Sequence, residues 1–214
     1  FLRRGAGIPS VCAPLALTLV LSAAGQARAG GVRYFGDSGD ATYYPTSWGT
    51  SSGGSWVELA ASTHFPVDPQ NPFLGTNSLR LSWVSAPGGD CALTAAAPGW
   101  SAYDTAPFDS LIFMAWTEST VAASELPMIF LEDQDNVRTP RQPLSAHSTG
   151  VPAGRWTRMS VALDVFRTQP GSADLGRINK VFFGQDASVS SGTPHVLILD
   201  EIRIVEADGI PPAA

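Results

Sequence analysis

Between residues 75 and 205 the apolar side chains recur at every second position in short runs, and no run keeps a helical period for more than two turns. Leu79, Leu81 and Trp83 alternate with Arg80 and Ser82. Met159, Val161 and Leu163 alternate with Arg158, Ser160 and Ala162. A period of two puts successive side chains on opposite faces of an extended strand, so each run has an inner and an outer row. Residues 111–116 (LIFMAW) and 128–131 (MIFL) are unbroken apolar stretches and predict central strands covered on both faces. Val196, Ile198, Ile202 and Ile204 are expected on one face of the last long strand, with Asp200 among them. The one helical signal is a turn over residues 121–126.

Turn signals separate the runs. Pro87-Gly88-Gly89-Asp90 follows the run at Leu79, and Asp133-Gln134-Asp135-Asn136 reads as a hairpin turn because Asp and Asn tolerate left-handed backbone. Gly150 to Gly154 leads into Trp156. With 21 Gly, 17 Pro and 15% charged residues, the chain has the makeup of a β-rich, turn-rich domain. About nine or ten short strands at this spacing predict an all-β fold, a two-sheet antiparallel β-sandwich of the jelly-roll kind. The domain is expected over residues 30–206, with 207–214 (DGIPPAA and the residue before it) as a linker or frayed end.

Residues 1–29 read differently. Arg3 and Arg4 precede an uncharged apolar run at 13–24, and Ala27-Arg28-Ala29 closes it with small residues at an A-x-A site. This three-part pattern predicts a signal peptide cut after Ala29 and a secreted product, extracellular or periplasmic. Cys12 precedes the apolar run, which argues against a lipid anchor at the cleavage site. Past Ala29 the chain holds 10 Lys and Arg against 19 Asp and Glu, a net charge of −9. Such a surface repels phosphate backbones and excludes nucleic acid as a partner. Cys91 is the one remaining thiol, so no intramolecular disulfide forms, and about 185 residues suffice for a core without one. No second apolar stretch is long enough for a transmembrane helix. The product is expected as a monomer or as part of a larger secreted protein.

The order of segments carries more than any one of them. Residues 75–83 (GTNSLRLSW) come first, then 107–113 (PFDSLIF), then Leu131-Glu132-Asp133 before a turn. Gly154-Arg155-Trp156-Thr157-Arg158 leads to Val161-Ala162-Leu163, residues 175–183 (LGRINKVFF) follow, and 199–204 (LDEIRI) close the domain. This succession resembles the galactose-binding-like β-jelly rolls, in particular carbohydrate-binding modules attached to bacterial glycoside hydrolases. The resemblance spans residues 75–205 and implies a β-sandwich, often with a structural Ca²⁺, that binds polysaccharide or oligosaccharide without catalysis.

Candidate sites follow from residue chemistry. A Ca²⁺ ion takes about six to eight oxygens. Asp37 and Asp40 lie in a Gly/Ser loop, and Asp200 interrupts an apolar face, where an unpaired charge is costly. In the resembling domains the first and last strands are neighbours, so these three acids are expected either to share an ion or, with Asp200 capping backbone amides, to act separately. For glycan contact, flat aromatic rings with polar neighbours suit the C–H faces and hydroxyls of sugars. Alternation puts Ile112, Met114 and Trp116 opposite a core row of Leu111, Phe113 and Ala115, and it pairs Phe130 with Glu132. A groove of Trp116, Glu132 and Arg158 is expected, or a sandwich-edge site at the loop aromatics Trp48, Trp100 and Tyr103.

Catalytic signals are weak. Residues 49–53 match G-x-S-x-G but lack the strand before and helix after that a nucleophile elbow requires. His64, His147 and His195 form no spaced metal motif. Glu58, Glu118 and Glu132 are the candidate members of a hydrolytic carboxylate pair, and nothing singles out two of them. A non-catalytic glycan-binding domain is therefore the leading expectation, with a cell-surface adhesion module or a small glycan-active hydrolase as alternatives.

Overall fold

The computed structural model describes residues 31–167, 172–185 and 192–206. The expected signal segment 1–29 and the C-terminal linker 207–214 lie outside the described residues, apart from which the strands follow in chain order. They are β1 (Val32–Phe35), β2 (Tyr43–Tyr44), β3 (Ser47–Ser52), β4 (Trp56–Val57) and β5 (Phe65–Asp68). Then come β6 (Ser78–Val84), β7 (Asp90–Ala96), β8 (Ser110–Trp116), β9 (Val121–Ala122) and β10 (Met128–Asp133). The last five are β11 (Gln142–Pro143), β12 (Gly150–Val151), β13 (Thr157–Ala162), β14 (Ile178–Gly184) and β15 (His195–Val205). The expected helical turn at 121–126 is a short 3₁₀ turn, Ala123–Glu125, directly after β9.

Two antiparallel sheets make the sandwich. One has the order β13-β8-β15-β6-β5-β2, with β1 also paired to β15 and β4 to β6. The other has the order β11-β10-β14-β7-β3. A small β12-β9 pair stands apart. Strand β15 is long enough to hold β6 along its first half and β1 along its second. Among the described residues no helix is long and apolar enough to cross a membrane.

The alternation of the sequence becomes the core. Leu79, Leu81 and Trp83 from β6, Leu111, Phe113 and Ala115 from β8, and Met159 and Val161 from β13 point inward. From the other sheet come Leu93 and Ala95, Ile129 and Leu131, and Val181 and Phe183. Phe113 and Phe183 meet across the sandwich edge to face, ring centroids 5.3 Å apart. Buried hydroxyls find partners: Tyr44 donates to the carbonyls of Tyr34 and Ala96, and Tyr34 to that of Ile178. Cys91 is a buried free thiol whose pKa burial pushes up to about 11, so it serves the core as a small hydrophobe.

The last strand departs from the expected single face. Val196 and Ile198 share the outer row, but Ile202 and Ile204 are in the core with Leu197 and Leu199. The cause is a bulge. Asp200 pairs with Met114, and Arg203 already pairs with Ile112, so β15 spends one more residue than β8 over this interval. Glu201 takes the left-handed conformation, φ 51°, that absorbs the extra residue. Its carboxylate lies between Arg33 and Arg203. An odd insertion into a period of two flips every later side chain, which sequence alternation alone does not reveal.

Candidate glycan-binding groove

The outer face of the five-stranded sheet is not a plain polar surface. Register places Trp48 of β3 beside Thr94 of β7, Thr94 beside Phe182 of β14, and Phe182 beside Phe130 of β10. One row of side chains therefore runs across four strands, about 14 Å at the usual interstrand spacing. Phe130 and Phe182 stack with centroids 4.8 Å apart and planes 4° from parallel. They are buried although they lie outside the main core, because guanidinium groups cover them. Arg138 lies 4.9 Å from the Phe182 centroid and Arg141 4.9 Å from that of Phe130. Gly184 makes room: a Cβ there would meet the Phe130 ring at 3.1 Å.

Beside this row a charged row is fully paired. Glu132 is buried and uses both carboxylate oxygens, one accepting from Lys180 Nζ at 2.6 Å and the other from Arg138 Nε at 2.7 Å. Lys180 also donates to Asn136 Oδ1 at 2.8 Å. Arg141 grips Asp90 with two nitrogens, at 2.8 and 2.9 Å, which draws the Asp90 carboxyl below the ordinary range chiefly through that hydrogen bond. The turn that presents Asn136 and Arg138 is held by Asp133. Its Oδ1 accepts from the amides of Asp135 and Val137 and its Oδ2 from that of Asp174, each at 2.9 Å. Burial raises the Asp133 pKa, but these three amides outweigh it and the net shift is downward.

The groove, about 530 Å³, is bounded by Trp48 and Trp100 at one end and by Glu132, Asn136, Arg138 and Lys180 at the other. Trp48 is 41% and Trp100 39% exposed, although tryptophan is ordinarily well covered. Trp100 has φ 58°, a left-handed conformation unusual for a bulky side chain, right after Gly99 at φ 67°. The groove thus joins two accessible indoles to a fixed set of hydrogen-bonding groups, with Thr94 and Phe182 as its floor. Truncation of Glu132 to Ala leaves Lys180, whose side chain is 12% exposed, without its carboxylate. We expect E132A to cost about 2 kcal/mol in chemical denaturation, and E132Q to lose about half as much because the amide keeps one acceptor.

The residues singled out in the sequence do not all meet. Glu132 and Trp100 share this groove. Trp116 and Arg158 do point outward as alternation requires, but from β8 and β13, in the opposite sheet. The expected groove of Trp116, Glu132 and Arg158 is therefore split between the two outer faces. Tyr103 exchanges backbone hydrogen bonds with Ile178 and packs against the core, away from the groove lining. Trp48, expected in a loop, sits on β3 (Ser47–Ser52), which also takes in most of the Ser- and Gly-rich stretch 49–53. Lys180, Arg138 and Phe182 went unnoticed; the alternation Ile178, Lys180, Phe182 within 175–183 was the signal for two of them.

The acids considered for calcium are each engaged with backbone. Asp40 accepts from Thr42 and Tyr43 of its own loop. Asp37 accepts from the amides of Ser38 and Thr76 and from the Thr76 hydroxyl. Asp200 accepts from the amides of Phe73 at 2.8 Å and Leu74 at 3.1 Å through Oδ2, and from that of Glu201 through Oδ1. Among the described residues no three Asp, Glu, His or Cys side chains gather where they would hold a metal ion. The amide-capping alternative for Asp200 is the one its contacts match.

No protein-family model matches the chain, and no curated protein is significantly similar to it in sequence. Solved structures share its fold. The family 30 carbohydrate-binding module of a cellulosomal cellulase of Clostridium thermocellum superposes with a TM-score of 0.63 at 20% identity, over 83% of this chain and 98% of that one. The family 11 module from the same organism, solved with a β-1,3-1,4-mixed-linked tetrasaccharide, gives a TM-score of 0.52 at 13% identity, over 76% and 90%. A β-1,2-glucanase from Parabacteroides distasonis gives 0.69 at 22% identity, over 83% of this chain. The present chain spans 25% of that enzyme.

Proposed function

The fold is the β-sandwich of carbohydrate-binding modules, and we propose that this chain is a secreted, non-catalytic domain that binds a glycan along the outer face of its five-stranded sheet. The observation that carries the reading is the pair of exposed indoles, Trp48 and Trp100, at one end of a groove whose other end is a rigid polar cluster. An indole face accepts the C–H face of a pyranose, and the polar groups of Lys180, Asn136 and Arg138 meet its hydroxyls. Lys180 and Arg138 both pair with the single carboxylate of Glu132, which fixes their remaining donors in place and leaves the cluster one positive charge in excess. The β-1,3-1,4-mixed-linked tetrasaccharide held by the family 11 module supports a mixed-linked β-glycan as the first ligand to test.

Binding fits the site better than hydrolysis. Among the described residues that line the groove, Glu132 is the one carboxylate, and both of its oxygens are engaged. Cleavage by the usual route needs two carboxyl groups about 5 to 9.5 Å apart across the scissile bond. The N-terminal pattern that ends at Ala27-Arg28-Ala29 supports secretion. Affinity electrophoresis in gels containing soluble β-glucan, xylan or mannan tests the proposal. Retarded migration in at least one gel is the expected result. Unretarded migration in all of them by a folded protein refutes it.

A further inference from the structure

The opposite face of the sandwich holds a second cavity, larger than the groove at about 750 Å³ against about 530 Å³. We infer that this cavity is a second oligosaccharide site, so that one domain holds two glycan chains on opposite faces. Its floor is a row across three adjacent strands of the eight-stranded sheet. Trp116 of β8 pairs with Ile198 of β15, and Ile198 pairs with Arg80 of β6. At the usual strand spacing this row is about 10 Å long, enough for two sugar rings. Trp116 is half-buried, and no ring contact is made by its indole with another aromatic side chain among the described residues.

The walls are already fixed in place. Thr117 Oγ1 donates to the carbonyls of Ser119 and Val196, and Thr120 Oγ1 accepts from the Ala153 amide, which holds the loop on one side. On the other side Asp68 accepts from the amides of Gln70 and Asn71, and Asp200 holds the amides of Phe73 and Leu74. Ligand binding at such a site demands little ordering of the protein. The chemistry selects the ligand. Asp68, Glu118 and Glu125 stand around the cavity, and Arg80 is paired with Glu58 at 3.2 Å. An anion is repelled there. A neutral polyol with an apolar ring face finds an indole and an aliphatic floor below, and hydroxyls, an amide and carboxylates at the rim.

The site rests on the proposed function only for the choice of ligand, and the test separates the two. Isothermal titration uses the folded domain with cellohexaose, xylohexaose and mannohexaose. The double variant W48A/W100G removes the indoles of the groove. The expected result is two equivalents bound by the natural chain and one by the double variant. Adding W116A to the double variant then weakens the remaining binding at least 30-fold. Adding R80M instead, at a side chain 40% exposed, weakens it at least fivefold with an unchanged unfolding midpoint, which answers any objection that W116A misfolds. The inference is overturned if the double variant binds none of the three sugars, or if its binding survives both W116A and R80M. A natural chain that binds a single equivalent, lost in the double variant, leaves the groove standing and removes the second site. A natural chain that binds a single equivalent, kept in the double variant and lost with W116A, does the reverse.

Discussion

Replacing Trp48 by Ala and Trp100 by Gly abolishes glycan retention at the groove while leaving the fold intact. Each indole is accessible over about two fifths of its surface, 41% for Trp48 and 39% for Trp100, so neither holds the core together. A tryptophan that anchors a ligand contributes about 2 kcal/mol, so each single variant should weaken binding on the order of 30-fold. The double variant should lose the groove's equivalent in isothermal titration. Trp100 adds a sharper test. Its φ of 58° costs an ordinary side chain about 1 kcal/mol that glycine does not incur. W100G is therefore expected to be about 1 kcal/mol more stable than W100A, while both weaken binding at the groove. A residue kept at the expense of stability is one held for contact with something else. If W100G binds as well as the natural chain, the groove is not the site.

Asp200→Ala is expected to be the most damaging single change outside the core. The carboxylate caps three backbone amides, those of Phe73, Leu74 and Glu201, and fastens the 69–76 loop over the bulge of β15. Phe73 in turn meets the Trp156 ring edge to face at 5.4 Å. Losing the acceptor leaves these amides unpaired, at about 1 kcal/mol or more each, and about 3 kcal/mol in total. The measurement is denaturant unfolding at neutral pH; a loss under about 1 kcal/mol contradicts the account.

The same residue sets an unusual pH dependence. Burial pushes the Asp200 pKa up from 3.8 to about 6; the Leu74 and Phe73 amides pull it back, and the nearby Asp37 charge adds to the rise. A carboxyl whose folded pKa lies above its unfolded value binds its proton more tightly when folded. Its contribution to stability is therefore complete below pH 3.8 and is lost as pH rises through about 6. Two units correspond to about 3 kcal/mol as an upper bound. The domain is expected to melt higher at pH 5 than at pH 7.5. In D200N, which carries no titrating group there, this part of the profile flattens, although the amide Nδ2 set against the Glu201 N–H lowers stability overall. Asp90 and Asp133, whose pKa values lie below the ordinary range, act in the other direction and withdraw their support only in stronger acid.

The amino-acid sequence by itself determined the strands and their two faces. Alternation at Leu79–Trp83, at Met159–Leu163 and at Leu111–Trp116 sorts inner from outer side chains correctly, because a pleated strand has a period of two whatever surrounds it. Local chemistry also located the turn at 133–136, whose Asp133 side chain caps the amides that follow. The tertiary structure alone decided which outer faces coincide. Trp116 and Glu132 are both outward, and a period of two says nothing of which sheet each strand joins; they face opposite ways. Trp48 and Trp100 are brought together by β3 docking on β7 and by a left-handed turn after Gly99, contacts between segments far apart in the chain. The bulge at Asp200 and Glu201 was likewise invisible, since one inserted residue is compensated by hydrogen bonds to a loop more than a hundred residues away. Register and sheet membership are set by burial and pairing summed over the whole domain, and no local pattern contains that sum.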